Sequence, residues 1–287
     1  MSILACINNQ KNIGKSSCKK IPQLIKGMIT TPDDFSLTFT QAADSSNWQT
    51  ALLAAKSSRI YLWPTAVNFE AQNEEAVYQD TPLSTISVRD GRYRYKLSFL
   101  ENLQVHKAMY SHKNFSGRVF LIDNENKIIG TELANGNFAG FSIDLLNPEK
   151  LKLNDGSNAT MSPVYVSLED NRELDEYGAM IEGTFLKTLV PLTSVEIAVS
   201  NATAAGMTAT VTSSLDLVEI LGLVQADFVL LDENGAAQVI DAVVDNEDGT
   251  YTLTGAGLTS GTLNLVSAAN LSVKGFESSG SATVTVV

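Results

Sequence analysis

The chain has few of the side chains on which catalysis and metal binding usually depend. Its 287 residues include only two cysteines and two histidines, and no Gly-x-Ser-x-Gly sequence is present. A hydrolase needs an activated nucleophile beside a base, and a structural zinc site needs clustered cysteines and histidines. We therefore expect a protein that is not an enzyme, with no catalytic residues, no metal ligands and no cofactor.

Long apolar runs are also missing. The longest run near the start, Ile3 to Cys6, is too short for the core of a signal peptide, and no run approaches the length of a membrane span. We expect synthesis for the cytoplasm and no membrane partner. Cys6 and Cys18 could pair, share a metal with other chains or stay reduced, and the lack of a secretory signal favours reduced thiols.

Positive charge is scarce, and its distribution divides the chain. The net charge is −12, and the segment from Thr193 onward has eleven acidic residues and one basic residue, Lys274. Clustered cations are needed to neutralise phosphates, so nucleic-acid binding is not indicated. The change in charge occurs at Pro191 and predicts two domains, residues 1–190 and 191–287.

The first domain begins with a basic segment. Five lysines precede the first acidic residue, Asp33: Lys11, Lys15, Lys19, Lys20 and Lys26. We call residues 1–27 the basic arm. Two interpretations stay open, a solvated mobile terminus or an arm that docks on the acidic surface of a neighbouring subunit.

Hydrophobic periodicity predicts an α+β fold for this domain, a β-sandwich or barrel-like sheet with two helices. One helix runs from a cap at Asp44 to about Ser57, and the other spans Leu100 to Tyr110. The segment Glu70 to Thr81 is polar and acidic and predicts a long surface loop. Strands are predicted at residues 35–40, 60–63, 92–99, 117–122, 127–130, 138–146, 162–168 and 179–188.

The second domain is predicted to be all-β. Two tight turns, Asp232 to Gly235 and Asn246 to Gly249, lie between paired apolar runs. Seven short strands in about 95 residues are typical of a β-sandwich. They are predicted at residues 195–199, 207–212, 228–231, 237–244, 250–254, 262–267 and 282–286.

Several patterns that could carry chemistry have simpler explanations. His106 and His112 lie six residues apart on a predicted helix, about 240° around its axis, so they do not share a face. Gly14-Lys15-Ser16 lacks the earlier glycine of a phosphate loop, because Asn9 stands there. The turn at Asp245 to Gly249 resembles the start of a calcium loop, but the twelfth position is Ala256.

Carboxylates are dense between two predicted strands. They are Glu169, Asp170, Glu173, Asp175 and Glu176. Paired carboxylates can perform general acid and base catalysis, but the sequence does not place two of them in one pocket. A solvated loop is the favoured interpretation.

The second domain resembles a known family. The match rests on Ala226 to Gly235, Asp248 to Leu253 and Leu258 to Leu263, and it is with the bacterial Ig-like domains of surface adhesins and phage virion proteins. That resemblance implies an Ig-like sandwich that decorates a larger assembly by weak surface adhesion or steric display.

The layout of the whole chain is similar to the major tail proteins of long-tailed phages, an analogy of architecture. It implies homohexameric rings that stack into a tube, with DNA only as passing cargo and the Ig-like domain outside. Tube interiors in that family are commonly acidic. Arg92, Arg94 and Lys96 depart from this pattern and would have to face a neighbouring subunit or the exterior.

The expected function is therefore that of a structural virion protein assembled in the host cytoplasm. Edge strands and the segment Glu70 to Thr81 would pair with the next subunit to close a ring. The alternatives are a capsid-associated or decoration protein, and a carbohydrate- or receptor-binding module.

Overall fold

The chain forms two compact units, which divide between Leu189 and Val190. The computed structural model describes residues 22–157, 159–266, 271, 274–278 and 280–287. Both units are built mainly of β-strands with few helices, as the sequence predicts. Cys6, Cys18, Gly14 and the lysines at 11, 15, 19 and 20 lie outside the described residues.

The described part of the first unit contains twelve strands, four short α-helices and one 3-10 helix. In chain order they are β1 (Ile25–Thr31), α1 (Phe39–Ala42), α2 (Ser45–Leu52), β2 (Tyr61–Leu62), β3 (Ala66–Ala71), β4 (Val77–Thr81), β5 (Ser84–Arg89), β6 (Arg94–Phe99), α3 (Leu103–Tyr110), β7 (Arg118–Asp123), β8 (Lys127–Glu132), β9 (Phe138–Ala139), β10 (Phe141–Pro148), β11 (Ser162–Leu168), α4 (Arg172–Asp175), β12 (Gly178–Glu182) and the 3-10 helix Thr184–Thr188.

Ten of these strands form one antiparallel sheet. Its main path runs β12-β8-β7-β10-β11-β6-β3, while β1 pairs with β7 and β2, and β9 pairs with β8. Strand β10 pairs with β7 through Phe141 and Ser142 and with β11 from Ile143 onward, so it joins the two halves of the sheet. The remaining two strands, β4 and β5, pair only with each other.

Two apolar clusters form the core of this unit. One includes Leu97, Phe99 and Val164 and lies along β6, β10 and β11. In the other, Trp48 of α2 packs on Phe120 with ring centroids 5.3 Å apart. The Trp48 indole also donates a 2.8 Å hydrogen bond to the carbonyl of Ala42, so its one polar group is satisfied inside the core.

The two predicted helices are present. Asp44 caps α2 by accepting a 3.0 Å hydrogen bond from the Ser46 amide, as its position predicts. However, α2 ends at Leu52, so the predicted extension to Ser57 is wrong. Asn102 caps α3 by accepting from the Val105 amide at 2.9 Å, and α3 covers most of the predicted span.

The predicted strand at residues 35–40 is wrong. Thr38 and Gln41 form a capping box, which starts the short helix α1 at Phe39. Phe35, Leu37 and Phe39 still pack against the core, and Leu37 makes one isolated bridge to Phe138. The alternation of polar and apolar residues therefore predicted burial correctly, whereas the capping box of Thr38 and Gln41 determined the backbone conformation.

The basic arm is shorter than the sequence predicts, because its last lysine belongs to the sheet. Lys26 lies in β1, and its ammonium group donates a 2.6 Å hydrogen bond to Asn126. Strand β1 pairs with β7 over six registered positions. Residues 25–31 are thus part of the folded unit.

Among the other predicted strands of this unit, two differ most from the structure. The strand predicted over 179–188 ends at Glu182 and is followed by the 3-10 helix, where Leu186 is buried. The strand predicted over 138–146 is interrupted at Gly140, where a Cβ atom would lie 2.8 Å from the backbone of Val119.

The described part of the second unit contains nine strands and one 3-10 helix. They are β13 (Thr193–Thr203), β14 (Gly206–Ser213), the 3-10 helix Gln225–Asp227, β15 (Phe228–Asp232), β16 (Ala237–Gln238), β17 (Ala242–Asp245), β18 (Thr250–Thr254), β19 (Gly261–Leu265), β20 (Phe276–Ser278) and β21 (Ser281–Val284).

These strands form two sheets around one apolar core. The sheets have the orders β17-β18-β14-β13-β20 and β16-β15-β19-β21. Val211 and Tyr251 enter the core from the first sheet, and Leu230 and Leu263 enter it from the second. Both predicted turns form hairpins, with positive φ at Gly235 (81°) and Gly249 (75°).

The strand predicted over 237–244 is two strands. Its first part, β16, pairs with β15, whereas its second part, β17, pairs with β18 in the other sheet. Between them the side chain of Ile240 is buried, and its carbonyl accepts a 2.5 Å hydrogen bond from Gln225. Strand β20, which is parallel to β13, was not predicted.

Candidate assembly surface

The segment Glu70 to Thr81 was predicted to be one long surface loop, but only residues 72–76 form a loop; residues 70–71 belong to β3, and residues 77–81 are the first strand of a β-hairpin. Strand β3 continues to Ala71, and β4 pairs with β5 from Val77 opposite Arg89 to Thr81 opposite Ser84. We call residues 77–89 the hairpin. Strand β5 was not predicted, although Thr85 to Val88 alternate polar and apolar side chains, which is the usual signal of a strand.

Local chemistry explains why the hairpin turns where it does. Pro82 and Leu83 occupy the turn, and proline fixes a φ that suits it. The Thr81 hydroxyl accepts from the Ser84 amide at 3.1 Å and donates to the Ser84 carbonyl at 2.6 Å. Thr85 adds a 2.6 Å bond to Asp80 across the strands.

The hairpin stands outside the apolar core. Every residue of β4 and β5 is exposed except Thr81, which is half-buried. Leu83 at the tip is 98% exposed. A two-stranded hairpin is at best marginally stable in water unless a face or an edge packs against something else. Its exposed apolar side chains are Val77, Tyr78, Leu83, Ile86 and Val88.

The base of the hairpin continues the large sheet. The Gln72 and Glu74 amides donate to the carbonyls of Arg94 and Arg92 at 2.8 and 2.9 Å. The Asn73 side chain accepts from the Arg94 amide at 3.2 Å. The backbone is therefore fixed up to Glu74, and the hairpin projects from an ordered edge of the sheet.

The cations at this edge are paired within the chain. The Glu74 carboxylate contacts both Arg89 and Arg94, the latter at 3.1 Å. Arg92 pairs with Asp144 at 2.5 Å. Lys96 on β6 likewise pairs with Glu149 at 2.7 Å. The strand predicted over 92–99 begins only at Arg94, and its cations do not need a neighbouring subunit, because carboxylates of the same chain match their charge.

Helix α4 anchors the hairpin base from the other side. The Asn171 side chain accepts from the Tyr93 amide at 3.3 Å and donates to the Gly91 carbonyl. The Tyr93 hydroxyl donates to the Asp175 carboxylate. This bond, with smaller contributions from burial and from the charge of Asp175, raises the pKa of Tyr93 to about 12.

A polar cavity of about 490 Å³ lies at this junction, lined by Glu74, Arg92, Tyr93, Asp175 and other residues. Most of its charged groups have partners in the chain. The charged residues that line the cavity therefore form a structural network of ion pairs, and this arrangement differs from that of a catalytic acid and base.

The carboxylates predicted to lie in a solvated loop have separate structural partners. Glu173 pairs with Arg118 at 3.1 Å and accepts from the Ser142 hydroxyl at 2.9 Å. Asp170 pairs with Arg172, and the hydrogen bonds from Arg172 lower the pKa of Asp170. The segment includes helix α4, so the solvated-loop prediction is wrong for Glu173 and its neighbours in the helix.

The two histidines have different surroundings. His106 lies in α3 within 3.0 Å of the Ser162 hydroxyl. His112 follows the helix and packs among Tyr61, Trp63 and Phe115, and burial lowers its pKa. Across the described part of the chain, no group of three or more possible ligands is arranged to hold a metal ion.

Local hydrogen bonds stabilise the turn at Asp245 to Gly249. The Asp245 carboxylate accepts from the Glu247 amide at 2.8 Å, and the Asp248 carboxylate accepts from the Thr250 amide at 3.0 Å. The hairpin-turn interpretation of these residues is therefore confirmed.

The main path of the large sheet ends at two edge strands, and β2, which pairs only with β1, is a further edge off that path. Strand β3 lies at one end of the main path, beside the hairpin, and β12 lies at the other. Val67 on β3 is exposed, and so is Tyr177 just before β12. An open edge presents unpaired amide and carbonyl groups that can pair with a strand of another chain.

The chain matches no protein-family model and no curated protein. No helix among residues 22–157 and the later described segments is long and apolar enough to cross a membrane.

Proposed function

We propose that this chain is a structural subunit that assembles with copies of itself, and that the assembly is the tail tube of a phage virion. The observation that carries the proposal is the hairpin. Two exposed strands with five exposed apolar side chains gain little from folding alone, whereas burial against another subunit would supply the missing stabilisation.

The two ends of the main path of the large sheet provide a second argument. If β12 of one subunit pairs with β3 of the next, the contact is head-to-tail, and repetition closes a ring when the rotation allows it. Ring closure would also cover edges that otherwise favour disordered aggregation. The hairpin adjoins β3, so it would extend this contact toward the next subunit or the next ring.

The second unit would serve as an Ig-like appendage. Two sheets around one core agree with that arrangement, although many families share the sandwich architecture. A carbohydrate-binding role has less support, because sugar recognition commonly uses exposed aromatic rings. The aromatic residues here are Phe228 and Tyr251, which are buried, and Phe276, which is half-buried.

Negative-stain electron microscopy of the purified full-length chain tests this proposal. We expect rings or tubes whose abundance rises with protein concentration. Closed shells or binding only to preformed capsids would instead support the capsid-associated alternative. A chain that stays monomeric at high concentration, with and without other virion components, would contradict self-assembly.

A further inference from the structure

The second unit carries an apolar surface at one end of its sandwich. Five aliphatic side chains within ten residues are exposed between β14 and β15, and Leu217 alone is 70% exposed. We call this surface the leucine loop. Its exposed members are Leu215, Leu217, Val218, Leu221 and Val224.

Hydrogen bonds hold the leucine loop in this conformation. Ser213 donates its amide to Val218 and accepts from the Leu217 amide, at 2.8 and 3.0 Å. The Ile220 amide bonds to Val211 at 3.0 Å, and the Ile220 carbonyl accepts from the Tyr251 hydroxyl at 2.6 Å. The aliphatic side chains are thus displayed by an ordered loop.

Leu217 is in an unfavourable backbone conformation. Its φ of 59° lies in the left-handed region, which residues with a branched side chain rarely adopt. Because the side chain is largely exposed, the strain is not offset by burial within this chain. Strain that persists on an exposed apolar loop is a feature of recognition sites.

Carboxylates surround the leucine loop. Asp216 and Glu219 belong to it, and the Asp245 carboxylate accepts from the Gly222 amide at 2.7 Å. Glu247 and Asp248 follow in the adjacent turn. Hydrogen bonds from Ser213 and Thr250 lower the pKa values of Asp216 and Asp248, so both are ionised at neutral pH.

The one lysine of this unit forms its ion pair with a carboxylate outside that rim. Lys274 pairs with Asp227 at 2.5 Å and donates to the carbonyl of Gly222 at 3.2 Å. Its charge is therefore matched by a carboxylate outside the rim. A ligand for the leucine loop should combine positive charge with aliphatic side chains.

We propose that the leucine loop binds the N-terminal segment, residues 1–21, of a neighbouring copy of this chain. That segment has four lysines and no acidic residue, and it also contains five aliphatic residues: Ile3, Leu4, Ile7, Ile13 and Ile21. Its charge and its apolar side chains both complement the leucine loop. The inference rests on the proposed self-assembly, because the segment comes from another copy.

The test is the binding of a fluorescein-labelled synthetic peptide of residues 1–21 to the full-length chain, followed by fluorescence anisotropy under reducing conditions. The double variant Leu217→Ser/Leu221→Ser should weaken binding at least fivefold. The matched control Val239→Ser, at an exposed valine of the same unit, should leave the affinity unchanged. Thermal unfolding checks that all three proteins are folded.

Charge is tested separately. Replacing the four lysines of the peptide by glutamine, or raising salt, should weaken binding through loss of electrostatic attraction. The double variant Glu219→Gln/Glu247→Gln of the full-length chain should weaken binding of the peptide about twofold to threefold at low salt. Equal affinity for the wild-type chain and for Leu217→Ser/Leu221→Ser would overturn the inference, as would a complete lack of binding.

The same proteins are examined by electron microscopy. This distinguishes failure of the docking of residues 1–21 from failure of the proposed self-assembly. Tubes that form although the peptide does not bind would overturn only the docking of residues 1–21. Peptide binding that depends on Leu217 in a chain that never assembles would overturn only the proposed self-assembly.

Discussion

The side-chain amide of Asn171 donates a hydrogen bond to the backbone carbonyl of Gly91, across 80 positions of sequence. This bond joins the N-terminal end of α4 to the base of the hairpin. Gly91 has no room for a side chain there, since a Cβ atom would lie 1.9 Å from the carbonyl oxygen of Glu74. This contact therefore helps to fix the base of the hairpin.

Asn171→Ala should destabilise the first unit and loosen the hairpin. The substitution leaves the Tyr93 amide and the Gly91 carbonyl without this partner, which costs about 1–3 kcal/mol where the groups are shielded from water. Urea unfolding measures the loss, and amide hydrogen exchange at residues 77–89 should accelerate. Asn68→Ala, at an exposed position on β3, is the control and should change stability little.

Leu83→Asp should prevent assembly without unfolding the monomer. The side chain is almost fully exposed, so the free energy of unfolding should change by less than about 0.5 kcal/mol. A charge at the tip must lose its hydration if the tip is buried between subunits. Leu153→Asp, at another exposed leucine of the same unit, should assemble normally in electron micrographs. Normal tubes from Leu83→Asp would exclude the tip from the interface.

Tyr93 should make stability fall at alkaline pH. Its hydrogen bond to Asp175 raises its pKa from the ordinary value of 10.0 to about 12. The folded chain holds this proton more tightly than the unfolded chain does. The contribution of this shift to the free energy of unfolding is therefore complete below pH 10 and is lost as the pH rises to about 12. Stability curves of wild type and Tyr93→Phe should converge over this range.

An ultraviolet titration tests the cause of that shift. The Tyr93→Phe difference spectrum should show one phenol that ionises near pH 12 in the wild type. Asp175→Asn removes the carboxylate, and the pKa of Tyr93 should then move back toward 10. No change with Asp175→Asn would assign the shift to burial alone.

Gly130→Ala should destabilise the large sheet. An added Cβ atom would lie 2.3 Å from the Ala139 carbonyl and 2.8 Å from the ring of Phe120, so strand β9 or the ring must move. Overpacking of this kind costs about 1–3 kcal/mol. Gly280→Ala meets no atom within 4 Å and should have little effect. Thermal unfolding of the two variants gives the comparison.

The second unit should fold by itself. Its core draws on both of its sheets, and the chain divides between Leu189 and Val190. We expect limited proteolysis to cut between Thr188 and Thr193, and residues 190–287 expressed alone to give a β-type circular dichroism spectrum with cooperative unfolding. A random-coil spectrum for that fragment would contradict the prediction.

Much of the strand content could be predicted from the sequence. The predicted strand at residues 162–168 has the observed bounds, and so does the one at 250–254. The turns at Gly235 and Gly249 were also predicted, because a tight hairpin requires residues that tolerate positive φ. These features depend on a few neighbouring residues, so the local sequence contains the information.

The candidate assembly surface was harder to predict. Residues 70–81 are polar, and polarity is shared by a loop and by a hairpin exposed on both faces. Only the pairing of β4 with β5 separates the two structures, and that pairing brings Val77 opposite Arg89. The partner of Arg92, two residues before β6, could not be predicted either, because Arg92 and Asp144 lie 52 positions apart in the chain.

The sequence by itself determined the β-rich character, the change of composition near Pro191 and the positions of most strands, because alternation and turn chemistry act over a few residues. Tertiary structure decided which strands pair. It placed the two halves of residues 237–244 in different sheets, and it left the hairpin and the leucine loop exposed. Pairing and exposure depend on residues far apart in the chain, and no local pattern encodes those contacts.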